Sequence, residues 1–138
     1  MTDIDPSTFK LDLLHEDPSI IVLNKPVNLN VHKGNNENEI TLVDILKAKK
    51  FNLSNSESER AGIVHRLDKL TEGLMVIAKT DSSQEHLVHQ FKSKDIYKKY
   101  FAMVYGNVLN DEFEINKGIK RHPSKRHRMI CHTSGKPS

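Results

Sequence analysis

No stretch of this 138-residue sequence approaches the roughly 18 consecutive apolar residues that a membrane-spanning helix requires. The sequence has one cysteine, Cys131, so an internal disulfide is excluded. Its first ten residues, MTDIDPSTFK, are acidic and lack the basic start and the apolar stretch of a secretory signal. These absences lead us to expect a protein of a reducing, cytoplasmic compartment that has no membrane partner.

Acidic residues are missing from the last part of the sequence. Seven of the 21 Lys and Arg residues lie between Lys117 and Lys136, a segment that contains none of the 18 Asp and Glu residues. Such a basic segment favours nucleic acid as a partner. It is equally typical of a solvated, basic tail. Composition alone leaves both interpretations open.

The first half of the sequence predicts a strand followed by a helix. The apolar run at 19–24 is short and rich in β-branched residues, as in a buried strand, and Lys25 with the proline after it ends the run. At 41–50 the apolar residues recur at helical spacing. Thr41, with Asp44 three residues later, has the form of a capping box at the start of this helix.

The second half predicts a helix and several strands. We predict strands at 74–78, 97–106, 112–116 and 128–133, and a helix at 80–94 with Asp81 as its N-cap. The Ser- and Asn-rich segment 52–62 contains almost nothing to bury, so we expect an exposed loop. A chain of this length forms one domain by default. The order of elements indicates an α+β or mixed α/β fold with at least one antiparallel pair.

The segment VHRLDKLTEG (64–73) places several charged residues directly before a predicted buried strand. Asp68 has Arg66 two positions before it and Lys69 directly after it, and nearby cations favour an ionised carboxylate. Such an aspartate acts as a nucleophile or base, or it fixes a loop through an ion pair. Protein kinases have a similar His-Arg-Asp motif, but the glycine-rich phosphate loop of kinases is missing here, so we set that interpretation aside.

Four separated blocks, in the same order, resemble the RluA-type pseudouridine synthases. HRLDKLTEGLMVIAK (65–79) resembles the catalytic signature of that family, and IIVLNKPVNLNVHKG (20–34) resembles an upstream block with a Lys-Pro pair and a later His. YKKYFAMVYG (97–106) resembles a block of alternating Lys, Tyr and Ala, and 119–137 resembles a basic block. The resemblance extends from about Leu13 to the end of the sequence.

The resemblance implies a fold, a reaction and roles for three residues. The implied fold is an α+β core with a mostly antiparallel mixed sheet flanked by helices. The implied reaction isomerises uridine in ribosomal or transfer RNA: the C1′–N1 bond breaks, the uracil turns, a C1′–C5 bond forms and the C5 proton is removed. Asp68 matches the catalytic aspartate, Tyr100 the tyrosine that packs on the base and assists proton removal, and Arg66 the arginine that fills the space of the flipped nucleotide. No metal or organic cofactor is implied.

Residues of the matched blocks also form a predicted RNA-binding set. It comprises His65, Arg66, Lys25, Lys98, Arg121, Lys125, Arg126 and Arg128. A base that is flipped out of a helix must be held by stacking, which Tyr100 on a strand could provide. For Lys25, contact with phosphate and bracing of the site remain equally open. Whether Asp68 attacks the sugar or removes a ribose proton is also open.

The sequence departs from the family pattern in two ways. Glu72 stands where the family commonly has serine, which places an extra negative charge near the proposed site. The family pattern continues beyond the last block with further strands and an arginine-bearing segment. We therefore expect a flexible segment at 1–12 and a partial catalytic domain at 13–138, without an S4-type RNA-binding domain. A non-catalytic RNA-binding remnant of such an enzyme is the alternative.

A third interpretation, a metal-binding module, finds little support in the sequence. Its ligands would be His122, His127, Cys131 and His132, but their spacing matches no usual zinc pattern. Histidines among arginines more often face solvent or phosphate. We therefore predict no metal site, and we expect a monomer whose partner is RNA.

Overall fold

The computed structural model describes residues 5–34, 38–55, 57–125, 128–131 and 136–137. The chain divides into two compact units, the first ending at Lys99 and the second beginning at Tyr100. Each unit has its own three-stranded sheet. Among the described residues, no helix is both long enough and apolar enough to cross a membrane. The predicted α+β fold is confirmed, because antiparallel strands combine with two helices.

The first unit is built on an antiparallel sheet whose middle strand is β2. The strands are β1 (Asp12–Glu16), β2 (Ile20–Lys25) and β3 (Gly73–Ala78), in the order β1-β2-β3. The sequence pattern does not predict β1, since all five of its residues are exposed and none forms a buried face. The strands β2 and β3 were predicted, and both are confirmed.

One face of this sheet carries the core of the first unit. Along β2, buried residues alternate with partly buried ones, because successive side chains of a strand point to opposite faces. The pairing of β2 with β3 sets Leu23 opposite Met75 and Lys25 opposite Gly73. The buried core combines these strands with the first helix through Ile21, Leu23, Met75, Ile77, Leu42, Val43, Ile45 and Leu46.

The first predicted helix is confirmed as α1 (Leu42–Ala48). Its capping box is also confirmed. The Thr41 Oγ1 accepts a hydrogen bond from the Asp44 backbone N–H at 3.3 Å, and the Asp44 carboxylate accepts one from the Thr41 backbone N–H at 2.9 Å. These two bonds satisfy backbone donors that the first turn of a helix leaves without partners.

The second helix, α2 (Asp81–Ser93), confirms the helix predicted at 80–94, but the predicted cap is wrong by one residue. Thr80 is the N-cap, and it exchanges hydrogen bonds of 3.2 Å with Ser83 in a capping box. Threonine and aspartate both serve as N-caps, so local sequence does not separate them. The Asp81 carboxylate instead accepts a hydrogen bond from the Ser54 hydroxyl at 2.5 Å.

The segment 52–62 was predicted to be an exposed loop, and this prediction is wrong for several of its residues. Leu53, Ser54 and Ala61 are buried. The Ser54 N–H donates to the Ala78 carbonyl at 3.1 Å, and the Ala78 N–H donates to the Gly62 carbonyl at 2.9 Å. The segment therefore pairs with the edge of β3, and its polar residues find partners that composition does not reveal.

The second unit contains a small antiparallel sheet with β4 in the middle. The strands are β4 (Gly118–Arg121), β5 (Met129–Cys131) and β6 (Lys136–Pro137), in the order β5-β4-β6. The strand β5 confirms the prediction at 128–133 for Met129–Cys131, and residues 132–133 lie outside the described residues. The predicted strands at 97–106 and 112–116 are wrong, since none of the residues in these two segments lies in a strand of the described part of the chain. Alternation of apolar and polar residues yields a strand only where a neighbouring strand supplies hydrogen-bond partners.

Candidate active-site loop

The residues 65–72, here called the candidate active-site loop, connect the segment after Gly62 to the start of β3. Leu67 is only 7% exposed and anchors the loop in the core, whereas its neighbours Arg66 and Asp68 are exposed. The Asp68 carbonyl accepts a hydrogen bond from the Thr71 N–H at 3.0 Å, which closes a turn directly after the aspartate. Because the buried leucine anchors the backbone between them, Arg66 and Asp68 project into solvent from fixed positions on the protein surface.

Lys25, at the end of β2, supports the candidate active-site loop through hydrogen bonds from its ammonium group. Its side chain is 0% exposed, and its ammonium donates to the carbonyls of Pro26 at 2.8 Å, Leu29 at 2.9 Å and Lys69 at 3.4 Å. An ammonium group has three N–H donors, so the number of donors equals the number of acceptors. These are the contacts expected of a lysine that braces the loop.

The electrostatics around Lys25 connect it to two carboxylates of the loop. Burial lowers the pKa of Lys25, because removal from water disfavours the charged ammonium. The negative charges of Asp68 and Glu72 act in the opposite direction and raise it, although burial is the larger effect. Glu72, the departure from the family pattern, therefore adds to the negative field that acts on this buried cation.

Lys69 follows Asp68 in the sequence, but its ammonium pairs with Glu39. The other carboxylate oxygen of Glu39 accepts a hydrogen bond from the Asn30 side-chain amide at 2.6 Å. These two partners, Lys69 first, lower the pKa of Glu39. Sequence reasoning missed both Glu39 and Asn30, since they lie in a polar, turn-rich segment that gives no sign of contact with a loop 30 residues away.

Arg66 contacts a histidine from the same segment. Its Nη1 lies 3.4 Å from Nε2 of His32. Burial lowers the pKa of His32, and the positive charges of Arg66 and Arg60 lower it further. The imidazole is thus neutral at neutral pH. In the sequence this histidine belongs to a matched block, but no role is predicted for it.

His65, the first residue of the candidate active-site loop, contacts both β3 and α2. Its Nε2 accepts a hydrogen bond from the Val76 N–H at 3.0 Å, and its ring stacks on Phe91 with centroids 4.5 Å apart. Burial, with a smaller contribution from the charge of Lys98, lowers the pKa of His65 to about 4. Lys98 itself lies with its ammonium 5.4 Å from the centre of the Phe91 ring, within the range of a cation–π contact.

The remaining predicted site residues lie in the second unit. Tyr100 is 61% exposed and does not lie on a strand. Arg121 ends β4, and the exposed Lys125 and Arg128 lie in and after the turn that leads to β5. The His122 Nδ1 holds this turn by accepting hydrogen bonds from the backbone N–H groups of Ser124 and Lys125, at 3.2 and 3.1 Å. Arg126 lies outside the described residues.

Comparison with known proteins points to one family. A family model described as RNA pseudouridylate synthase matches residues 19–137. The ribosomal large subunit pseudouridine synthase D of Buchnera aphidicola subsp. Acyrthosiphon pisum is 44% identical over 139 residues, covering 100% of this chain and 43% of that protein. Its namesake from Escherichia coli (strain K12) is 39% identical over 134 residues, covering 97% of this chain and 40% of that protein.

A solved structure shares the fold. Human RNA Pseudouridylate Synthase Domain Containing 1 superposes with a TM-score of 0.72 at 18% identity, over 100% of this chain and 51% of that one. This likeness concerns the fold alone. The chain spans about two fifths of the length of the curated relatives that it matches.

Proposed function

The chain belongs to the RNA pseudouridylate synthase family, and we propose that it takes part in converting uridine to pseudouridine in ribosomal RNA. The observation that carries the proposal is the candidate active-site loop, in which the exposed Asp68 follows the buried anchor Leu67 and lies near the buried Lys25. Two curated relatives, 44% and 39% identical to this chain, are named for this activity on the ribosomal large subunit. Transfer RNA is a further substrate class that the family resemblance suggests.

Asp68 is the proposed reacting carboxylate. During the isomerisation the C1′–N1 bond breaks and a C1′–C5 bond forms, while a proton leaves C5 and N1 gains one, so the product is an isomer of the substrate. An enzyme that accelerates such a reaction must hold its reacting group in a fixed geometry. The turn at Thr71 and the support from Lys25 favour such a geometry for Asp68.

The target uridine must leave its helix before its glycosidic bond can be reached. Flipping a nucleotide costs a few kcal/mol, and stacking and hydrogen bonding in a pocket offset this cost. We propose that Tyr100 packs on the flipped uracil and that Arg66 fills the space it leaves. Tyr100 is 61% exposed and Arg66 is exposed, so both residues are available for contact with RNA.

The RNA backbone is the proposed partner of the basic residues of the second unit. Arg121, Lys125 and Arg128 lie close together in the chain at one end of the β4–β5 pair. Lysine and arginine side chains bind phosphates mainly by charge, without reading sequence. Since the relatives are named for the ribosomal large subunit, we propose that the protein works in the cytoplasm.

The proposal is tested by measuring pseudouridine in unmodified large-subunit ribosomal RNA after incubation with the purified protein. Asp68→Asn removes the carboxylate while preserving size, and we expect it to abolish pseudouridine formation and to leave RNA affinity nearly unchanged. The matched control is Asp95→Asn, since Asp95 is an exposed aspartate just beyond the end of α2. Pseudouridine formed by the Asp68→Asn protein would rule out the assigned role. A wild-type protein that bound RNA without forming pseudouridine would support the RNA-binding remnant instead.

A further inference from the structure

The contact between Arg66 and His32 fixes the protonation of the histidine. A guanidinium can only donate hydrogen bonds, so the imidazole nitrogen that faces it, Nε2 at 3.4 Å, must act as the acceptor. A neutral imidazole carries its single proton on the other nitrogen in that case. The geometry therefore assigns the proton of His32 to Nδ1.

The surroundings of His32 are unusual for a buried polar group. Its Nδ1 is buried, and no hydrogen-bond partner for it exists within the described part of the chain. A buried donor without a partner costs stability, so such groups often have a functional explanation. In this orientation of the ring, Nε2 has a hydrogen-bond partner in Arg66, whereas Nδ1 has none within the described part of the chain.

Lys69, the other cation beside Asp68 in the candidate active-site loop, contacts a different kind of partner from that of Arg66. The ammonium of Lys69 pairs with the carboxylate of Glu39, and this contact offsets its charge. Arg66 has no carboxylate within 4.0 Å among the described residues, and its side chain contacts a neutral ring. A neutral acceptor orients a guanidinium without reducing its charge.

We propose that His32 is a positioning residue that directs the guanidinium of Arg66 toward the RNA substrate while leaving its full positive charge for a phosphodiester group. The inference rests on the proposed function, and it extends that function to a residue outside the predicted site. Glu39 and His32 belong to the same segment after β2, so this segment holds both cations that flank Asp68, one by a carboxylate and one by an imidazole. Of these two cations, only Arg66 keeps a charge that no carboxylate pairs within the described part of the chain.

The first test concerns the contact itself and needs no RNA. Long-range ¹H–¹⁵N NMR spectra of the histidine side chains distinguish a proton on Nδ1 from one on Nε2. We expect the Nδ1-protonated form for His32 in the wild-type protein and a loss of that preference in Arg66→Met, because methionine has no N–H donor to face Nε2. Histidine spectra that are identical in the two proteins would overturn the inference.

The second test measures binding of unmodified large-subunit ribosomal RNA. His32→Phe keeps a planar ring without an acceptor, and we expect it to weaken binding by about fivefold, the effect of one misplaced charge-assisted hydrogen bond. His32→Gln retains an acceptor oxygen and should stay within about twofold of wild type. His86→Phe, on the exposed side of α2, is the matched control and should bind as wild type does.

The decisive comparison places His32→Phe in the Arg66→Met background. If His32 acts through Arg66, the second substitution has no further effect on binding there, because a positioning residue has nothing left to position. Equal weakening in both backgrounds would overturn the inference. So would unchanged binding by His32→Phe in a protein that forms pseudouridine, and the proposed function would then stand. A wild-type protein that formed no pseudouridine would instead remove the proposed function, and the inference would fail with it.

Discussion

The ammonium group of Lys25 donates a hydrogen bond to the main-chain carbonyl of Lys69, 3.4 Å away, although 44 residues separate them in the chain. This bond joins the end of β2 to the candidate active-site loop immediately after Asp68. The same ammonium also holds the carbonyls of Pro26 and Leu29. One buried cation thus fixes two loops relative to each other, and the position of Asp68 depends on it.

Replacement of Lys25 by methionine should destabilise the protein. Methionine fills a similar volume but cannot donate, so the carbonyls of Pro26 and Leu29 lose their partner, at a cost of about 1–3 kcal/mol in the free energy of unfolding. Urea unfolding followed by circular dichroism measures this loss. Lys10→Met, at an exposed lysine, is the control and should unfold as wild type does. Equal stability of the Lys25→Met protein would contradict the bracing role.

Gly62→Ala should be destabilising for two separate reasons. Gly62 has φ of +68°, a backbone conformation that residues with a Cβ rarely adopt, and the added Cβ would lie 2.3 Å from the carbonyl oxygen of Ala78. We expect a loss of at least about 2 kcal/mol in the free energy of unfolding. Gly34→Ala is the matched control, because a Cβ there would meet nothing within 4 Å. A Gly62→Ala protein as stable as the Gly34→Ala protein would refute the pairing described for this segment.

His65 should make the stability of the first unit depend on pH. Its pKa is about 4 in the folded protein and near 6.5 when unfolded, so the unfolded chain takes up a proton first as the pH falls. Stability is therefore full above about pH 6.5 and decreases toward pH 4, by roughly 1–2 kcal/mol after allowance for partial exposure of the ring. Protonation would also remove the acceptor that Val76 uses.

Urea unfolding of the wild type and of His65→Gln at pH 7 and pH 5 measures this effect. The difference in stability between the two pH values should be smaller in His65→Gln than in the wild type. His86→Gln provides the comparison, since His86 is exposed on α2. If His65→Gln and His86→Gln showed the same pH dependence as the wild type, the low pKa of His65 would be wrong.

The basic residues of the second unit should determine how RNA binding depends on salt. Replacing Lys125 and Arg128 by alanine should weaken binding to ribosomal RNA and reduce the slope of log affinity against log salt by about 0.7 to 0.9 for each phosphate that the protein no longer neutralises. Filter binding over a range of potassium chloride concentrations measures both. Lys92→Ala, at an exposed lysine near the end of α2, serves as the control. An unchanged slope would favour the solvated basic segment that composition left open.

Much of the first unit could be predicted from the sequence, because its signals are local. The short β-branched run before Lys25, the helical spacing after Thr41 and the reciprocal capping of Thr41 and Asp44 each depend on residues a few positions apart. The same kind of signal failed at 97–106, where apolar and polar residues alternate clearly but Tyr97 is 88% exposed and none of the residues lies in a strand. A strand needs a partner, and alternation within one segment says nothing about whether a partner is present.

The candidate site likewise combines features that local sequence predicts with contacts that it does not predict. The sequence by itself determined which side chains are proposed to carry the chemistry, since Asp68 and Arg66 stand beside an anchoring leucine in a recognisable block. Only the tertiary structure decided how they are held, because Lys25, His32 and Glu39 reach the loop across 30 or more residues and through polar contacts that leave no periodic trace in the sequence. Hydrophobic patterning specifies which faces are buried, whereas the pairing of individual charges and carbonyls depends on distances that exist only after the chain has folded.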